Sequence, residues 1–345
     1  MKNLGQVLLS NIPSAQYASG KNEILMKCPF CGDSPDPKHK HFYISLKEGQ
    51  PHFYNCFKCS EKGVVTSKTL RMMSIFDMDA TVELDLYNKS IMNTTASKVN
   101  YKTGVANIRN IISDNDLSRA KLSYINKRLG LNLTLDDLKN LKICPNLSDL
   151  LSCNRIDKLT RDIRVVEDLN KYFIGFISAD NNFLTMRNLM PAGKVNKSID
   201  RRYNIYNILG CVDNSSRFYI IPTNVDCNQK INIHIAEGPF DILSIYYNLP
   251  KSDVQNVYAA VCGKSYLSMI KYFLSEKGLF NSVFHVYIDN DINKYELRHL
   301  AQIILPLTSD VYIHQNVYPG EKDFGVKRDL INEQVYHIRD FLGGY

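Results

Sequence analysis

The chain has 345 residues, of which 44% are hydrophobic and 22% are charged, and its formal net charge is +7. No apolar run approaches the ~20 residues of a membrane span, and residues 1–10 are too weakly apolar for a secretory signal, so we expect a soluble, cytoplasmic protein without a membrane partner. The length allows two or three small domains, and the modest basic excess permits a polyanionic partner without requiring one.

Residues 1–66 contain two Cys-x-x-Cys pairs, Cys28 with Cys31 and Cys56 with Cys59. The chain has nine cysteines and no predicted signal, which favours metal ligation in a reducing compartment over disulfides. Two pairs at this spacing can place four thiolates tetrahedrally around Zn²⁺. We therefore predict a small β-rich zinc ribbon, whose folding free energy comes largely from the metal.

Aromatic and basic side chains surround these cysteine pairs: Phe42, Tyr43, Phe53 and Tyr54, with Lys38, Lys40 and Lys58. Such residues can stack on unpaired bases and pair with phosphates. The alternative is that the rings form the core of the ribbon. We expect about half of the rings to be in the core and the rest to be free to stack.

The middle of the chain divides into a linker and a basic segment. Residues 67–115 are predicted to be a linker, with one helix near 68–76 followed by Asn-, Ser-, Thr- and Lys-rich sequence of little periodicity. Residues 116–230 begin with a helix that ends at Gly130 and later contain a β-hairpin over 171–187 with its turn at 180–182. The final part of that segment, from Met186 to Lys230, holds seven basic and three acidic side chains.

Residues 231–345 show apolar, β-branched runs that pass directly into helical patterns, which predicts βα units in a parallel sheet. Glu237 follows the first run, and Asp289 and Asp291 follow another. Functional side chains of a parallel sheet lie at the carboxyl ends of its strands, so these three carboxylates should meet. Three neighbouring carboxylates repel one another unless a cation lies among them. Because carboxylates are hard oxygen ligands, we expect this cation to be Mg²⁺ or Mn²⁺.

Two further features lie in the same segment. The tail, residues 327–345, is predicted to be one amphipathic helix that packs on its own domain. Residues 262–265, Cys-Gly-Lys-Ser, match half of a P-loop, but Tyr258 stands where the first glycine would be needed. Without that glycine the backbone cannot wrap phosphates, so we do not expect an ATPase.

The acidic residues carry a family resemblance. Glu237-Gly238 with Asp241, followed by Asp289-Asn290-Asp291, resembles the EGxxD and DxD motif pair of TOPRIM domains. Such domains occur in DnaG-type primases, in type IA and type II topoisomerases and in some nucleases. A four-cysteine ribbon, a basic segment and this motif pair, in that order, resemble phage DnaG-type primases.

Shorter segments support the same resemblance. Residues 117–131, followed by a capped helix at 134–138, are similar to the opening of the primase polymerase core, and Lys322-Asp323 is similar to a Lys-Asp segment of phage primases. The chain departs from the family at two places. Met186 precedes Arg187 where the family has a glycine, and Gly325 stands where the family usually has a polar side chain.

The resemblance implies an α/β catalytic core with a TOPRIM domain over 231–345, a basic subdomain over 116–230 and a template-recognising zinc ribbon before them. It assigns catalysis to Glu237, Asp289 and Asp291. It assigns catalytic Mg²⁺ or Mn²⁺ to Glu237, Asp241, Asp289, Asp291 and Asp323. It assigns template and nucleotide binding to Arg187, Lys197, Arg201, Arg202 and Lys322.

The expected function is therefore that of a DNA primase, which makes short RNA primers on single-stranded DNA from ribonucleoside triphosphates by two-metal nucleotidyl transfer. A separate ring helicase would unwind the duplex, and the protein would be viral and act in the host cytoplasm. Two alternatives stay open: a TOPRIM-type nuclease that cuts DNA without nucleotides, and a non-catalytic single-strand-binding replication factor.

Overall fold

The protein is described by a computed structural model. The described residues are all those of the chain except 1–3, 19, 34, 35, 37, 60, 96–104, 157–162, 210–217, 251–253, 263–265 and 343–345. The chain divides into two compact units, Met1–Asn100 and Tyr101–Tyr345. In the described part of the chain, no helix is both long enough and apolar enough to cross a membrane.

The first unit is built on a five-stranded antiparallel sheet whose strands follow one another in chain order. Its strands are β1 (Gln16–Tyr17), β2 (Glu23–Met26), β3 (Phe42–Ser45), β4 (Phe53–Cys56) and β5 (Lys62–Val64). Buried residues alternate with less buried ones along β2, β3 and β4. Because successive side chains point to opposite faces of a sheet, one face forms the core of this unit.

Three helices complete the first unit: α1 (Leu4–Asn11), α2 (Ser67–Met72) and α3 (Met78–Thr95). The prediction of an irregular linker is wrong over α3. Asp77 begins this helix, accepting a hydrogen bond on Oδ1 from the Ala80 amide at 3.0 Å, and Ala80 and Leu84 are buried on one face. The sequence analysis missed this helix because the segment is largely polar and its apolar residues at helical spacing are few.

The rest of the predicted linker is also not a flexible tether where it is described. Residues 96–104 lie outside the described residues. Beyond them, Ala106 and Ile111 are buried in a core of the second unit. Residues 105–115 therefore form part of the second unit.

The second unit contains a four-stranded antiparallel sheet in the order β6-β7-β8-β9. Its strands and helices in chain order are α4 (Asp116–Leu129), α5 (Leu135–Asn140), β6 (Ile143–Cys144), α6 (Leu147–Cys153), α7 (Ile163–Tyr172), β7 (Phe173–Ile177), β8 (Phe183–Asn188) and β9 (Tyr203–Asn207). The predicted helix end is confirmed, since Gly130 caps α4 with φ 68°. The predicted hairpin is also confirmed, because β7 and β8 pair around the turn at Asn181.

The second sheet of this unit has six strands in the order β10-β12-β11-β13-β14-β15. Its elements are β10 (Tyr219–Ile220), β11 (Ile231–Ala236), α8 (Pro239–Asn248), β12 (Gln255–Ala260), α9 (Tyr266–Lys271), a π-helical turn (Tyr272–Glu276), β13 (Ser282–Ile288), α10 (Lys294–Ile304), β14 (Val311–Asn316) and β15 (Glu333–His337). The four central strands are parallel, and the two outer strands are antiparallel to their neighbours. The mixed α/β class is confirmed, although antiparallel pairings outnumber parallel ones across the described sheets.

The predicted C-terminal helix is wrong. A 3₁₀ turn at Arg328–Leu330 leads into β15, and a second 3₁₀ turn follows at Ile338–Phe341. β15 pairs with β14 in the register His314 opposite Val335. The apolar spacing of the tail fits either structure, and the free edge of β14 determines the outcome because its backbone groups need partners.

A shared core joins the two sheets of the second unit. The Phe176 ring of β7 lies 5.2 Å from Tyr219 of β10 and 5.6 Å from Phe240 of α8. The buried Tyr219 hydroxyl donates a hydrogen bond to the Leu141 carbonyl at 2.8 Å. This packing holds the antiparallel sheet and the amino end of α8 together.

Candidate functional site

The first unit gathers four buried cysteines at one end of its sheet. The Sγ atoms of Cys28, Cys31, Cys56 and Cys59 all lie within 4.8 Å of one another, with 3.8 Å between Cys28 and Cys59 and 4.0 Å between Cys31 and Cys56. Four thiolates in a tetrahedron around Zn²⁺, each with a bond of about 2.3 Å, would be about 3.8 Å apart. The predicted ligand set is therefore positioned to bind one metal ion, consistent with a structural zinc.

The aromatic rings around this cluster divide between core and surface. Phe42 and Tyr54 are buried and stack with ring centroids 5.2 Å apart. Tyr43 lies on the opposite face of β3, where its ring contacts Phe57 at 5.2 Å. Phe53 and Phe57 are 49% and 68% exposed. Two of the four predicted rings are thus accessible to a ligand, and Phe57 is an accessible ring that the sequence reasoning missed.

In the second unit, carboxylates collect at the carboxyl edge of the parallel strands. Glu237 directly follows β11, and Asp289 directly follows β13, which is paired with β11 in parallel register. Both side chains are buried, whereas Asp291 is exposed. Asp323 lies in the loop after β14 with 13% of its side chain exposed. The sequence prediction was that Glu237, Asp289 and Asp291 meet at one edge of the sheet. The register supports it for Glu237 and Asp289, whereas Asp291 lies exposed two residues farther on.

Asp241 lies in the first turn of α8. Its Oδ2 accepts a hydrogen bond from the Gly238 amide at 2.9 Å, which satisfies one of the free amides at the start of the helix. Its Oδ1 is buried and has no hydrogen-bond partner. Burial raises the pKa of Asp241 to about 8, and the negative charge of Asp323 acts in the same direction, while Arg202 opposes the shift.

Two basic side chains bridge these acids. Arg202 Nη1 lies 3.2 Å from Glu237 Oε1, and its Nη2 lies 3.7 Å from Asp323 Oδ2. Lys322 Nζ lies 3.4 Å from Asp289 Oδ2 and 3.7 Å from an oxygen of the exposed Asp291. Burial works against the charged form of Arg202, but Tyr203 and the surrounding acids raise its pKa.

The acids fit a divalent cation in their chemistry. They offer hard oxygen ligands, and one buried carboxylate oxygen, Asp241 Oδ1, lacks a partner. Burial and the neighbouring Asp323 also raise the pKa of Asp289, against the effect of Lys322. Within the described residues, however, only the cysteines bring three ligand atoms within 4.8 Å of one another. The carboxylates are instead paired with Arg202 and Lys322, each of which contacts two of them.

Arg202, which pairs with the acids, belongs to a cluster of three arginines. The guanidinium groups of Arg187 and Arg202 lie over the Tyr203 ring at 5.3 and 5.4 Å. Arg128, at the end of α4, donates a hydrogen bond from Nε to the Gly325 carbonyl at 2.9 Å and lies over the Phe240 ring at 4.9 Å. Arg128 was not among the predicted site residues. Its position in a segment similar to the primase core opening was the available signal.

The structure does not bring every predicted residue to this cluster. Lys197 and Arg201 lie in the loop between β8 and β9 and are exposed. Arg201 Nη2 donates to the Ser198 carbonyl at 3.1 Å, and neither side chain forms a described ion pair with the acids. Of the half P-loop, residues 263–265 lie outside the described residues, and Cys262 is buried at the end of β12 with φ 52°.

Comparison with known proteins assigns no family. No protein-family model matches the chain. The chain is similar to the phenylalanine–tRNA ligase beta subunit of Mycoplasma capricolum subsp. capricolum, with 26% identity over 231 residues. The match covers 64% of this chain and 26% of the ligase subunit, so the chain spans about a quarter of that protein's length. Identity this low over so small a part of the ligase subunit does not extend that protein's activity to this chain.

Proposed function

We propose that the protein is a DNA primase of the phage DnaG type, with a TOPRIM catalytic domain. One observation carries the proposal: of the buried carboxylates at the ends of β11 and β13, Glu237 pairs with Arg202, and Arg202 belongs with Arg128 and Arg187 to a cluster of three arginines. The parallel order β12-β11-β13-β14 supports the TOPRIM assignment. Acids beside cations are what nucleotidyl transfer needs, since a triphosphate must sit between metal ligands and phosphate-binding groups.

The acids would hold the catalytic ions. Glu237 and Asp289 are fixed by the strands they follow, and Asp291 and Asp323 extend the set towards solvent. Asp241 is a further ligand candidate through its unpartnered oxygen. Two divalent cations bound here would activate the 3′-hydroxyl of the growing primer and stabilise the leaving pyrophosphate.

The arginines would hold the triphosphate and the template backbone. Arg128, Arg187 and Arg202 present planar groups that bind phosphate oxygens bidentately. The Tyr203 ring contacts two of them, Arg187 and Arg202, and would help to position them. Lys197 and Arg201, in the exposed loop, would contact template phosphates farther from the reacting atoms.

The first unit would present single-stranded template. The accessible rings Tyr43, Phe53 and Phe57 can stack on unpaired bases, with Lys40 and Lys58 available for phosphates. Through this surface and the arginine cluster, the partners of the protein would be single-stranded DNA and ribonucleoside triphosphates. We further propose that it works with a separate ring helicase, as a viral protein in the host cytoplasm.

The direct test incubates the purified chain with single-stranded DNA, labelled ribonucleotides and Mg²⁺. We expect short oligoribonucleotides, and we expect Asp289→Asn to reduce their yield by about 100-fold or more. Arg119→Gln is the matched control, because Arg119 pairs with Asp114 in an exposed contact. Cleavage of the DNA without ribonucleotides would identify a nuclease instead, and DNA binding without either product would identify a non-catalytic factor.

A further inference from the structure

Arg202 occupies the position of a counter-ion to the proposed metal ligands. Its two terminal nitrogens lie 3.2 Å from Glu237 and 3.7 Å from Asp323. These acids come from different segments, one following β11 and the other in the loop after β14. A single guanidinium therefore neutralises two carboxylates that a divalent cation would otherwise draw together.

Lys322 does the same for the other pair. Its ammonium group lies 3.4 Å from Asp289 and 3.7 Å from Asp291. The Lys322 side chain is 57% exposed, whereas that of Asp289 is only 8% exposed. The lysine can therefore swing into solvent without disturbing the core, while the aspartate stays in place.

The hydrogen bonding of the arginines is incomplete in this arrangement. Arg202 Nε is buried and has no hydrogen-bond partner, and the same holds for Arg187 Nε. A guanidinium has five N–H donors in a fixed fork, and a phosphate group offers more acceptor oxygens than the acids supply here. A buried donor without a partner is costly, so a bound phosphate would satisfy what the acids leave open.

We propose that Arg202 and Lys322 are exchangeable counter-ions that couple divalent-cation binding to polyphosphate binding. In the free protein they neutralise the acids. When divalent cations bind the acids, like-charge repulsion displaces the two side chains, which transfer to the oxygens of a polyphosphate. The inference rests on the proposed function, because it takes the acids as metal ligands and a triphosphate as the ligand of the basic groups.

The exchange has a thermodynamic consequence. A bound polyphosphate takes up the basic side chains that compete with the cation for the acids, and a bound cation takes up the acids that compete with the polyphosphate for the basic side chains. Each ligand must therefore raise the affinity of the other by the same factor. Direct contact between a bound cation and a bound phosphate also gives such coupling, so coupling alone is not diagnostic. The distinguishing property is the affinity for a cation without any phosphate, which the two basic side chains would lower by competition.

The experiment measures Mn²⁺ binding to the full chain by electron paramagnetic resonance in phosphate-free buffer. We expect Arg202→Gln and Lys322→Gln each to raise Mn²⁺ affinity at least about fivefold, within the usual range of coupling between sites. Arg119→Gln is the control, since it removes the same charge from an exposed arginine that pairs with Asp114 rather than with these acids. We expect it to change the affinity less than about twofold.

A second titration with tripolyphosphate completes the test. Saturating tripolyphosphate should enhance Mn²⁺ affinity less in the two exchange variants than in the original chain. Unchanged or weaker Mn²⁺ binding by the exposed Lys322→Gln variant, with unfolding temperature preserved, would overturn the exchange. If the protein makes primers but the two variants do not bind Mn²⁺ more tightly, the exchange is wrong and the proposed function stands. If the variants bind Mn²⁺ more tightly but the protein makes no primers, the primase function is wrong and the exchange stands.

Discussion

At the scale of single residues, Gly325 is the point where the candidate site has least room. A Cβ at this position would lie 2.6 Å from Asp241 Oδ1 and 3.2 Å from Arg128 Nη2. Contacts below 3.0 Å are not tolerated by buried groups, so something must shift. Because Gly325 has no side chain, Asp241 and Arg128 can both approach the backbone at this position. Phage primases, which the sequence resembles, usually have a polar side chain here.

Replacing this glycine should impair the site without unfolding the protein. We expect Gly325→Ala to lower primer synthesis roughly 10- to 100-fold, because it displaces Asp241 and Arg128 by a fraction of an ångström or more. Yield per unit time on a fixed template measures the effect. Gly320→Asn is the control in the same loop, since its Cβ would contact nothing within 4 Å and Asn tolerates positive φ; equal loss in both variants would contradict the prediction.

Tyr203 offers a second test at this scale. Its ring contacts the guanidinium groups of both Arg187 and Arg202, at 5.3 and 5.4 Å from the ring centroid. We expect Tyr203→Phe to keep nucleotide affinity nearly unchanged, because the aromatic ring that both arginines contact remains. Tyr203→Leu should raise the KM for ribonucleotides about tenfold, which corresponds to losing two cation–π contacts of about 0.5–1 kcal/mol each. A similar loss in both variants would instead assign the effect to the hydroxyl.

At the scale of elements, one face of the six-stranded sheet carries a continuous stack of rings. Tyr258, His234, His285 and Tyr312 stand opposite one another on β12, β11, β13 and β14. Their neighbouring centroids lie 4.6, 4.9 and 5.6 Å apart. His285 Nδ1 also lies 3.0 Å from His314 Nε2. The stack links four parallel strands just below the acidic edge.

This stack should make the second unit sensitive to acid. Burial, with the nearby His234 and His314, lowers the pKa of His285 to about 3, and burial lowers the pKa of His234 to about 4. An unfolded chain takes up these protons near pH 6.5, whereas the folded protein does not. Stability is therefore complete above about pH 6.5 and falls as the pH drops towards 4, by about 1.4 kcal/mol per pH unit for each imidazole.

Urea unfolding between pH 7 and pH 5 measures this dependence. His285→Phe keeps a ring in the stack but removes one imidazole, so the loss of stability with falling pH should be shallower, by about 1.4 kcal/mol per pH unit once the pH is below about 5.5 and the unfolded imidazole is nearly fully protonated. Tyr312→Leu removes a ring of the same stack and no imidazole, and it should retain the original slope. Identical slopes for His285→Phe and the original chain would show that this imidazole does not contribute.

Elements with local signals were predictable, and elements set by distant partners were not. Gly130 ends α4 and the turn at Asn181 joins β7 to β8 because their own backbone conformations demand it. The tail became β15 because β14 offered a free edge, which no local pattern of the tail encodes. Likewise Arg128 meets Gly325, although 197 positions separate them. The acids were predictable because they follow strands that are recognisable in the sequence. Arg128 was not, because its partner lies in a distant segment of the chain.

At the scale of the whole molecule, the cysteine cluster and the acidic edge lie in different compact units. We expect the chain to contain one zinc ion, and we expect removing it with a chelator, or by Cys56→Ser, to unfold the sheet of the first unit only. The reason is that structural zinc supplies on the order of 10 kcal/mol of folding free energy to so small a domain.

Metal analysis and hydrogen exchange test this expectation. Amides of β2, β3 and β4 should lose protection, while those of β11 and β13 should keep it, and Mn²⁺ binding at the acids should persist. Cys227→Ser is the control, because Cys227 is an exposed cysteine of the second unit. Protection of β3 that survives complete removal of zinc would show that the sheet folds without the ion.

The loop after β14 is held in place by hydrogen bonds and ion pairs to several segments of the second unit. The Asn290 amide donates to the Lys322 carbonyl at 2.9 Å, and the Asn290 side chain donates to the Glu321 carbonyl at 2.9 Å. Lys322 then points to one set of acids and Asp323 to the opposing arginine. Adding or deleting one residue in this loop would break all of these contacts at once. Among natural relatives, we expect this interval to keep a constant length while the loop between β8 and β9 varies freely.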